Sequence, residues 1–411
     1  MAKLYKREKY LQKIRGFYNA DDIIKVIVGV RRCGKSSLLE MIVDELRDTG
    51  VADEQIIFFN LDKRGLRSIK TPEQLENLIE THSITDQLKY LFVDEIQNVK
   101  GFEEVINGFR EEGNYSIFIT GSNSYLLSSE LTTKLTGRYV EFEMYPLSFD
   151  EYEEMKQMYG KTVSPNLLEE LNQYILEGGF PRTVRFDTIQ DKRTYIDSVV
   201  KEIFEKDIRK RVKIRNREAF EAVQTFIINN FGATTSISSL HDALSKNGIT
   251  VSRSTLTRYI DALVSAKILY ECPRFDMKSK RSLSGEKKYY LSDLSFYFSV
   301  NTDNKINYGP VLENIVYLYA RSNDNTISVG RYNQFECDFI TRNSTNDYAY
   351  LQVAYTILGN EKTEDREYRP LEAVRDNYPK YVITTDQLLQ KRSGIHHVNL
   401  MEFMLSRQSF V

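Results

Sequence analysis

The chain has 411 residues, 41% of them hydrophobic and 28% charged, and a formal net charge of −2 at neutral pH. This length is too great for one ordinary core and points to two or three domains at roughly 150 residues each, while no stretch approaches the run of about 20 apolar residues that spans a bilayer. A near-neutral total excludes any argument for nucleic acid from the whole chain, so such an argument has to rest on local patches.

The N-terminus, MAKLYKREKYLQKIRGFY, is basic but lacks an apolar core followed by a small-residue cleavage site, so a cytoplasmic address is expected. From Asp21 to about Met144, short apolar strands (IIKVIVGV, IIFFNL, KYLFVDEI, YSIFITG, YVEFEMYPL) alternate with helical stretches, one starting at Lys35. Short buried strands alternating with helices predict a parallel sheet covered on both faces, and residues 1–147 are expected to form this α/β domain. Residues 148–218 read as a small helical lid with a basic connector, hinged at Gly178-Gly179-Phe180-Pro181-Arg182. Residues 219–300 hold a helix, the Ser-rich turn TTSISSL, a second helix, and a third with Leu256, Ile260, Leu263 and Ile268 at helical spacing, the order of a helix-turn-helix with a wing. Residues 301–411 alternate a helix (GPVLENIVYLYAR) with strands (NQFECDFITR, AYLQVAYTIL, KYVITT), predicting a small mixed α/β domain. Cys33, Cys272 and Cys337 stand far apart, without metal-ligand spacing, so neither a disulfide framework nor a structural zinc is expected.

Between the first strand and its helix stands Gly29-Val30-Arg31-Arg32-Cys33-Gly34-Lys35-Ser36, which matches G-x-x-x-x-G-K-[ST] in its strand-to-helix setting. The glycines let backbone N–H groups turn inward around phosphates, and the helix N-terminus adds its partial positive charge. Lys35 is expected on the outer phosphates of ATP and Ser36 on its magnesium. Arg31, Arg32, Cys33 and Ser37 complete the expected nucleotide-binding loop, with solvated side chains the alternative for the two arginines. At the end of the strand Tyr90-Leu91-Phe92-Val93 come Asp94 and Glu95. Asp94 is placed to hold magnesium through water, and Glu95 to polarise the attacking water as general base. After the next strand, Thr120-Gly121-Ser122-Asn123-Ser124 offers Asn123 or Ser122 as a sensor of the terminal phosphate, although any turn uses the same residue types.

The order of phosphate loop, Asp-Glu strand, polar strand end and Gly137-Arg138 before the last strand resembles the AAA+ ATPases. More narrowly, GVRRCGKSSLL, LFVDEIQNV, ITGSNSYLLSSEL, LTGRYVEFEMYPLSFDEY and GGFPR resemble the prokaryotic ATP-binding proteins with an N-terminal AAA domain and a C-terminal domain of unknown function, over nearly the whole chain. The resemblance implies a P-loop NTPase (AAA+) parallel sheet with a helical lid, and ATP hydrolysis. It further implies a homo-oligomer, such as a hexamer, in which Arg138 acts as an arginine finger on a neighbour's site. A surface arginine at a strand start is the alternative. Arg182 takes the position of a second sensor of the nucleotide.

Three basic patches favour DNA as a partner. Lys206 to Arg217 carries seven basic residues against one acid, including Arg209, Lys210 and Arg211. The presumed recognition helix carries Arg253, Thr255 and Arg258, types that suit phosphate and base-edge contacts. The presumed wing carries Arg274, Lys278, Lys280, Arg281, Lys287 and Lys288. A solvated helix face and a winged helix that docks a protein partner are the alternatives.

In the last domain Glu313, Asp338 after Glu336, and Gln352 have a spacing that resembles the restriction-endonuclease-like nuclease fold, implying a second magnesium site on Glu313, Asp338 and Gln352. That pattern expects a lysine two residues after the last of these, and residue 354 is alanine. A degenerate, non-cutting domain is therefore expected, with Lys362 or Tyr355 the substitutes in an active one. The functional expectation is an ATP-hydrolysing protein that couples its cycle to DNA binding or remodelling. A nucleotide-gated protein-interaction switch and an ATP-regulated nuclease are the alternatives.

Overall fold

The structure, a computed structural model, describes residues 4–121, 135–209, 212–276, 278–279, 281–301, 305–332 and 335–411, with residues 281–286 described by their backbone. It divides into two compact units, residues 1–144 with 265–267, and residues 145–264 with 268–411.

The first unit runs α1 (Glu8–Arg15), β1 (Ile24–Gly29), α2 (Lys35–Asp48), β2 (Ile56–Asn60), α3 (Pro72–His82), β3 (Lys89–Asp94), α4 (Phe102–Glu111), β4 (Tyr115–Thr120) and β5 (Tyr139–Met144). Its strands form one sheet in the order β2-β3-β4-β1-β5, with every pair parallel. β1, β3 and β4 are buried along their whole length, which is why they read as largely apolar runs. Edge strand β2 instead alternates buried with half-buried positions. On one face Val26, Val28, Leu91, Val93, Ile117 and Ile119 join Leu75 and Ile79 of α3 and Phe102 and Ile106 of α4 in a single core. On the other, the rings of Phe92 and Phe118 stack at 4.7 Å. Helix α1 buries Tyr10, Leu11 and Ile14, and its Arg15 donates to both carboxylate oxygens of Glu45 in α2 (2.7 and 2.9 Å).

The second unit begins with helices α5 (Phe149–Met158), α6 (Leu167–Glu177), α7 (Ile189–Ile203) and α8 (Arg217–Asn229). Next come β6 (Thr234–Thr235), α9 (Ile237–Lys246), α10 (Arg253–Ser265), β7 (Leu269–Asp276), β8 (Arg281–Leu291), α11 (Ser295–Val300) and α12 (Tyr308–Ser322). β9 (Thr326–Tyr332), β10 (Phe335–Arg342), β11 (Tyr348–Val353), α13 (Glu361–Ala373), β12 (Lys380–Thr384), β13 (Lys391–Arg392), β14 (Ile395–Asn399) and α14 (Leu400–Leu405) complete it. The nine strands among the described residues of this unit lie in one mixed sheet, ordered β13-β14-β12-β11-β10-β9-β7-β8-β6. The hairpin expected as a wing, β7 with β8, is joined to the last segment by parallel pairing of β7 with β9, so one sheet runs across residue 300. The glycine-proline break is fixed by packing. The Gly179 N–H donates to Asp293 Oδ2 (2.7 Å), and a Cβ on Gly179 would stand 2.4 Å from the Leu147 carbonyl oxygen. Among the described residues no helix is long and apolar enough to cross a membrane.

Candidate functional site

β1 ends at Gly29, the chain turns over residues 30–34, and α2 starts at Lys35. Gly29 has φ +150, and a Cβ there would lie 2.3 Å from the carbonyl oxygen of Met144 at the end of the adjoining β5. Gly34, at φ +113, begins α2 with no side-chain cap, so the first amides of the helix face the loop, the arrangement that holds anionic phosphate. Lys35 is 6% exposed, and its ammonium donates to the carbonyl oxygens of Gly29 (2.8 Å) and Val30 (3.2 Å), within the loop it closes. Ser36, Ser37 and Arg31 are half-buried and Arg32 is exposed. The Cys33 thiol is fully buried, and burial pushes its pKa up. A residue outside the motif joins this group, because Arg7, ahead of α1, donates through Nη1 to the Cys33 carbonyl oxygen (3.3 Å).

The sheet order places β4 between the loop strand and the acid strand, so Thr120, the last residue of β4, lies beside both. Its hydroxyl donates to Asp94 Oδ1 (2.5 Å) and accepts from the Glu95 N–H (3.1 Å). The second Asp94 oxygen accepts from the side-chain amide of Asn60, at the end of β2 (2.6 Å). Asp94 is wholly buried and aimed by two uncharged donors. Glu95 adopts φ +59, uncommon for a non-glycine residue, and its Oε2 accepts from Gln97 Nε2 (2.5 Å). Neither Thr120 nor Asn60 was expected as a site residue. The signal for Asn60 was present, an amide closing the otherwise apolar run IIFFN. The expected sensors Ser122 and Asn123 lie outside the described residues.

Arg138 stands at the opposite end of the sheet. Its carbonyl oxygen accepts from the Ile24 N–H (2.9 Å), where β1 begins, and the parallel register pairs Ile24 with Tyr139 and Gly29 with Met144. The length of β1, about 17 Å at about 3.3 Å per residue, therefore separates Arg138 from its own phosphate loop. The exposed guanidinium donates to Asn107 Oδ1 (3.3 Å) and lies 3.8 Å from Glu111 Oε1. Arg182 belongs to the second unit and is exposed, 5.8 Å above the Phe186 ring.

The expected DNA contacts are distributed unevenly. In the basic run Arg209 pairs with Glu205 (2.9 Å), Lys206 with Glu202 (2.8 Å) and Arg217 with Glu221 (2.7 Å), each an acid one helical turn away. Lys210, Arg211 and Lys280 lie outside the described residues, and Arg281 is described by its backbone alone. On α10, Arg253, Thr257 and Arg258 are exposed and Thr255 is half-buried.

In the second unit Glu313, Asp338 and Gln352 do come together, lining one cleft of about 640 Å³ with Glu336 and Lys362. Tyr355 instead lies against the ring of Tyr308, at 4.3 Å. The three expected metal ligands are already engaged. Glu313 Oε2 accepts from the Tyr290 hydroxyl (2.7 Å) and the Lys288 ammonium (3.2 Å). Asp338 Oδ2 accepts from the Val353 N–H (2.8 Å), and Gln352 Oε1 from the Asp338 N–H (3.4 Å). Burial, then the neighbouring Glu313 charge, push the Asp338 carboxyl well above the ordinary carboxylate range. Lys288, expected on the presumed wing, is thus buried against Glu313 and Glu336, beside this cleft. Burial disfavours its ammonium, but Glu313, Asp338 and Glu336 outweigh that and hold it above the ordinary lysine value. Among the described residues no three acidic, histidine or cysteine side chains are grouped to hold a metal ion, so this donor set does not fit the expected magnesium as it stands.

A family model described as AAA domain matches residues 21–153, and one described as Domain of unknown function (DUF8612) matches residues 168–305. An uncharacterized protein of Haemophilus influenzae is 33% identical over 402 residues, 97% of this chain and 98% of that protein. The chain belongs to the same AAA-domain family. A second member, an uncharacterized protein of Methanocaldococcus jannaschii, is 31% identical over 364 residues, 86% of this chain and 79% of its own. The AAA protein also resembles in fold the Walker-type ATPase of Pyrococcus abyssi, with a TM-score of 0.50 at 16% identity, covering 72% of this chain and 96% of that one. The AAA domain is therefore a P-loop NTPase fold, in which the loop, Asp94 and Thr120 meet at one end of a parallel sheet.

Proposed function

We propose that this AAA protein binds ATP with magnesium, hydrolyses it, and couples the cycle to DNA. The observation that carries the first part is the wiring of Asp94. Both of its oxygens are held by neutral donors, Thr120 and Asn60, so its position is set while its charge is left for a cation to balance. Lys35 and the amides of α2 would take the phosphates, Ser36 and Asp94 the magnesium, and Glu95 the proton of the attacking water. Magnesium supplies charge stabilisation on the phosphoryl oxygens when bound.

The exposed arginines of α10 support the DNA part. The ion pairs along the basic connector favour a second reading, a nucleotide-gated switch that holds a protein partner, because those cations are already balanced. Steady-state ATP hydrolysis decides, measured with and without duplex, single-stranded and branched DNA. Lys35→Ala is expected to abolish nucleotide binding, and Glu95→Gln to bind ATP but turn it over poorly. Wild-type turnover that rises with DNA supports the coupled reading. Turnover indifferent to every DNA leaves the protein-interaction switch as the better account.

A further inference from the structure

We infer that the carboxylate cleft of the second unit carries its own cation, the Lys288 ammonium, in the place where a divalent metal ion would bind. Lys288 Nζ lies 3.2 Å from Glu313 Oε2 and 3.3 Å from Glu336 Oε1, bridging helix α12 to strand β10. These are ammonium distances. Magnesium requires oxygen ligands at about 2.1 Å in an octahedron, and a metal ion in the bridging position would have to expel the lysine. The charges are also matched, since Arg274 Nη2 adds a second cation 3.0 Å from Glu336 Oε2, giving two cations for the two glutamates. The neighbouring donors are no freer, because backbone N–H groups hold both Asp338 Oδ2 and Gln352 Oε1. Strand alternation explains how the lysine arrives there. Lys287 pairs with Glu271 (2.7 Å), and the next residue, Lys288, points to the opposite face of β8, toward Glu313 and Glu336 at the edge of the cleft.

Removing the ammonium leaves Arg274 as the remaining cation beside Glu313 and Glu336, and carboxylates left short of positive charge in a partly buried site favour a bound cation. With the ammonium in place a divalent ion has no vacant position between Glu313 and Glu336, and this behaviour does not depend on the ATPase reading. The test is Mn²⁺ binding to the full-length protein without nucleotide, followed by the loss of free-ion signal in electron paramagnetic resonance, together with plasmid nicking in Mg²⁺. Wild type and Lys288→Arg are expected to show no Mn²⁺ that Glu313→Gln removes. Lys288→Ala is expected to gain one bound Mn²⁺ per chain and to lose it again in Lys288→Ala/Glu313→Gln. Lys288→Gln, which keeps a polar group in the pocket, replaces Lys288→Ala if circular dichroism shows that the alanine variant does not fold. Three results overturn the inference: wild-type Mn²⁺ that Glu313→Gln abolishes, a folded Lys288→Ala or Lys288→Gln that gains none, or wild-type nicking that Asp338→Asn and Lys288→Ala both remove. The last would make Lys288 the basic group of an active nuclease.

Discussion

Thr120 serves two neighbours with one hydroxyl, donating to the Asp94 carboxylate and accepting from the backbone of Glu95. Thr120→Val keeps the shape and removes both bonds. Loss of a partner that orients a metal-binding carboxylate costs about 10- to 100-fold, so ATP turnover is expected to fall by that factor while nucleotide affinity stays near wild type. Unchanged turnover would show that Asn60 alone aims Asp94. Lys25 poses a different problem at this scale. It is fully buried in β1, its ammonium donating to Ala20 O (2.5 Å), Ile23 O (3.1 Å) and Ser116 Oγ (2.9 Å), 4.6 Å from the Phe118 ring centroid. Burial lowers its pKa from 10.5 to about 7, against the opposing charges of Asp22 and Asp21. Between these two values the unfolded chain binds more protons than the folded one, so this residue's contribution makes stability rise with pH. The slope is at most about 1.4 kcal/mol per pH unit. Denaturant unfolding at pH 7 and pH 9 should therefore show wild type gaining on Lys25→Met, and parallel behaviour of the two proteins would remove the assignment.

The elements of the AAA domain were legible because their burial is simple. β1, β3 and β4 are covered on both faces, so they carry largely apolar runs, broken within by Lys25 and Ser116, and each predicted run became a strand. The second unit was less legible. β9 mixes exposed, half-buried and buried positions over TISVGRY, and β13 is two residues long, so neither carries a period that separates a strand from a loop. Pairing of β7 with β9 was invisible for another reason, since local patterns say which residues form strands but not which strands meet. Two further outcomes belong here. Gly29→Ala would drive a Cβ into the Met144 carbonyl, so either β5 or the loop must move, and loss of nucleotide binding in a less stable protein is expected from titration and thermal melting. On α10, Arg253→Ala and Arg258→Ala should each lower the salt dependence of DNA binding by about one unit in slope, as a lost phosphate contact does. An unaltered slope would move the DNA contact elsewhere or favour the protein-switch reading.

For the whole molecule the telling residue is Arg138, at the wrong end of the sheet for its own phosphate loop. If it completes a neighbour's site, Lys35→Ala and Arg138→Ala chains, each inactive alone, should recover part of the activity when mixed, because mixed assemblies hold some sites with both residues intact. No recovery in mixtures shown to co-assemble would leave Arg138 a surface residue paired with Asn107 and Glu111. Contiguous residues encode the phosphate loop, the acids closing β3, the apolar strands and the three polar residues that gather in the C-terminal cleft. Tertiary structure alone decided how those groups are held. Thr120 reaches Asp94 across 26 residues, Asn60 across 34, and Lys288 reaches Glu313 across 25. Each of these partners is set by strand order, helix packing or strand alternation, and a buried charge takes its character from whichever donor the fold brings within about 3 Å.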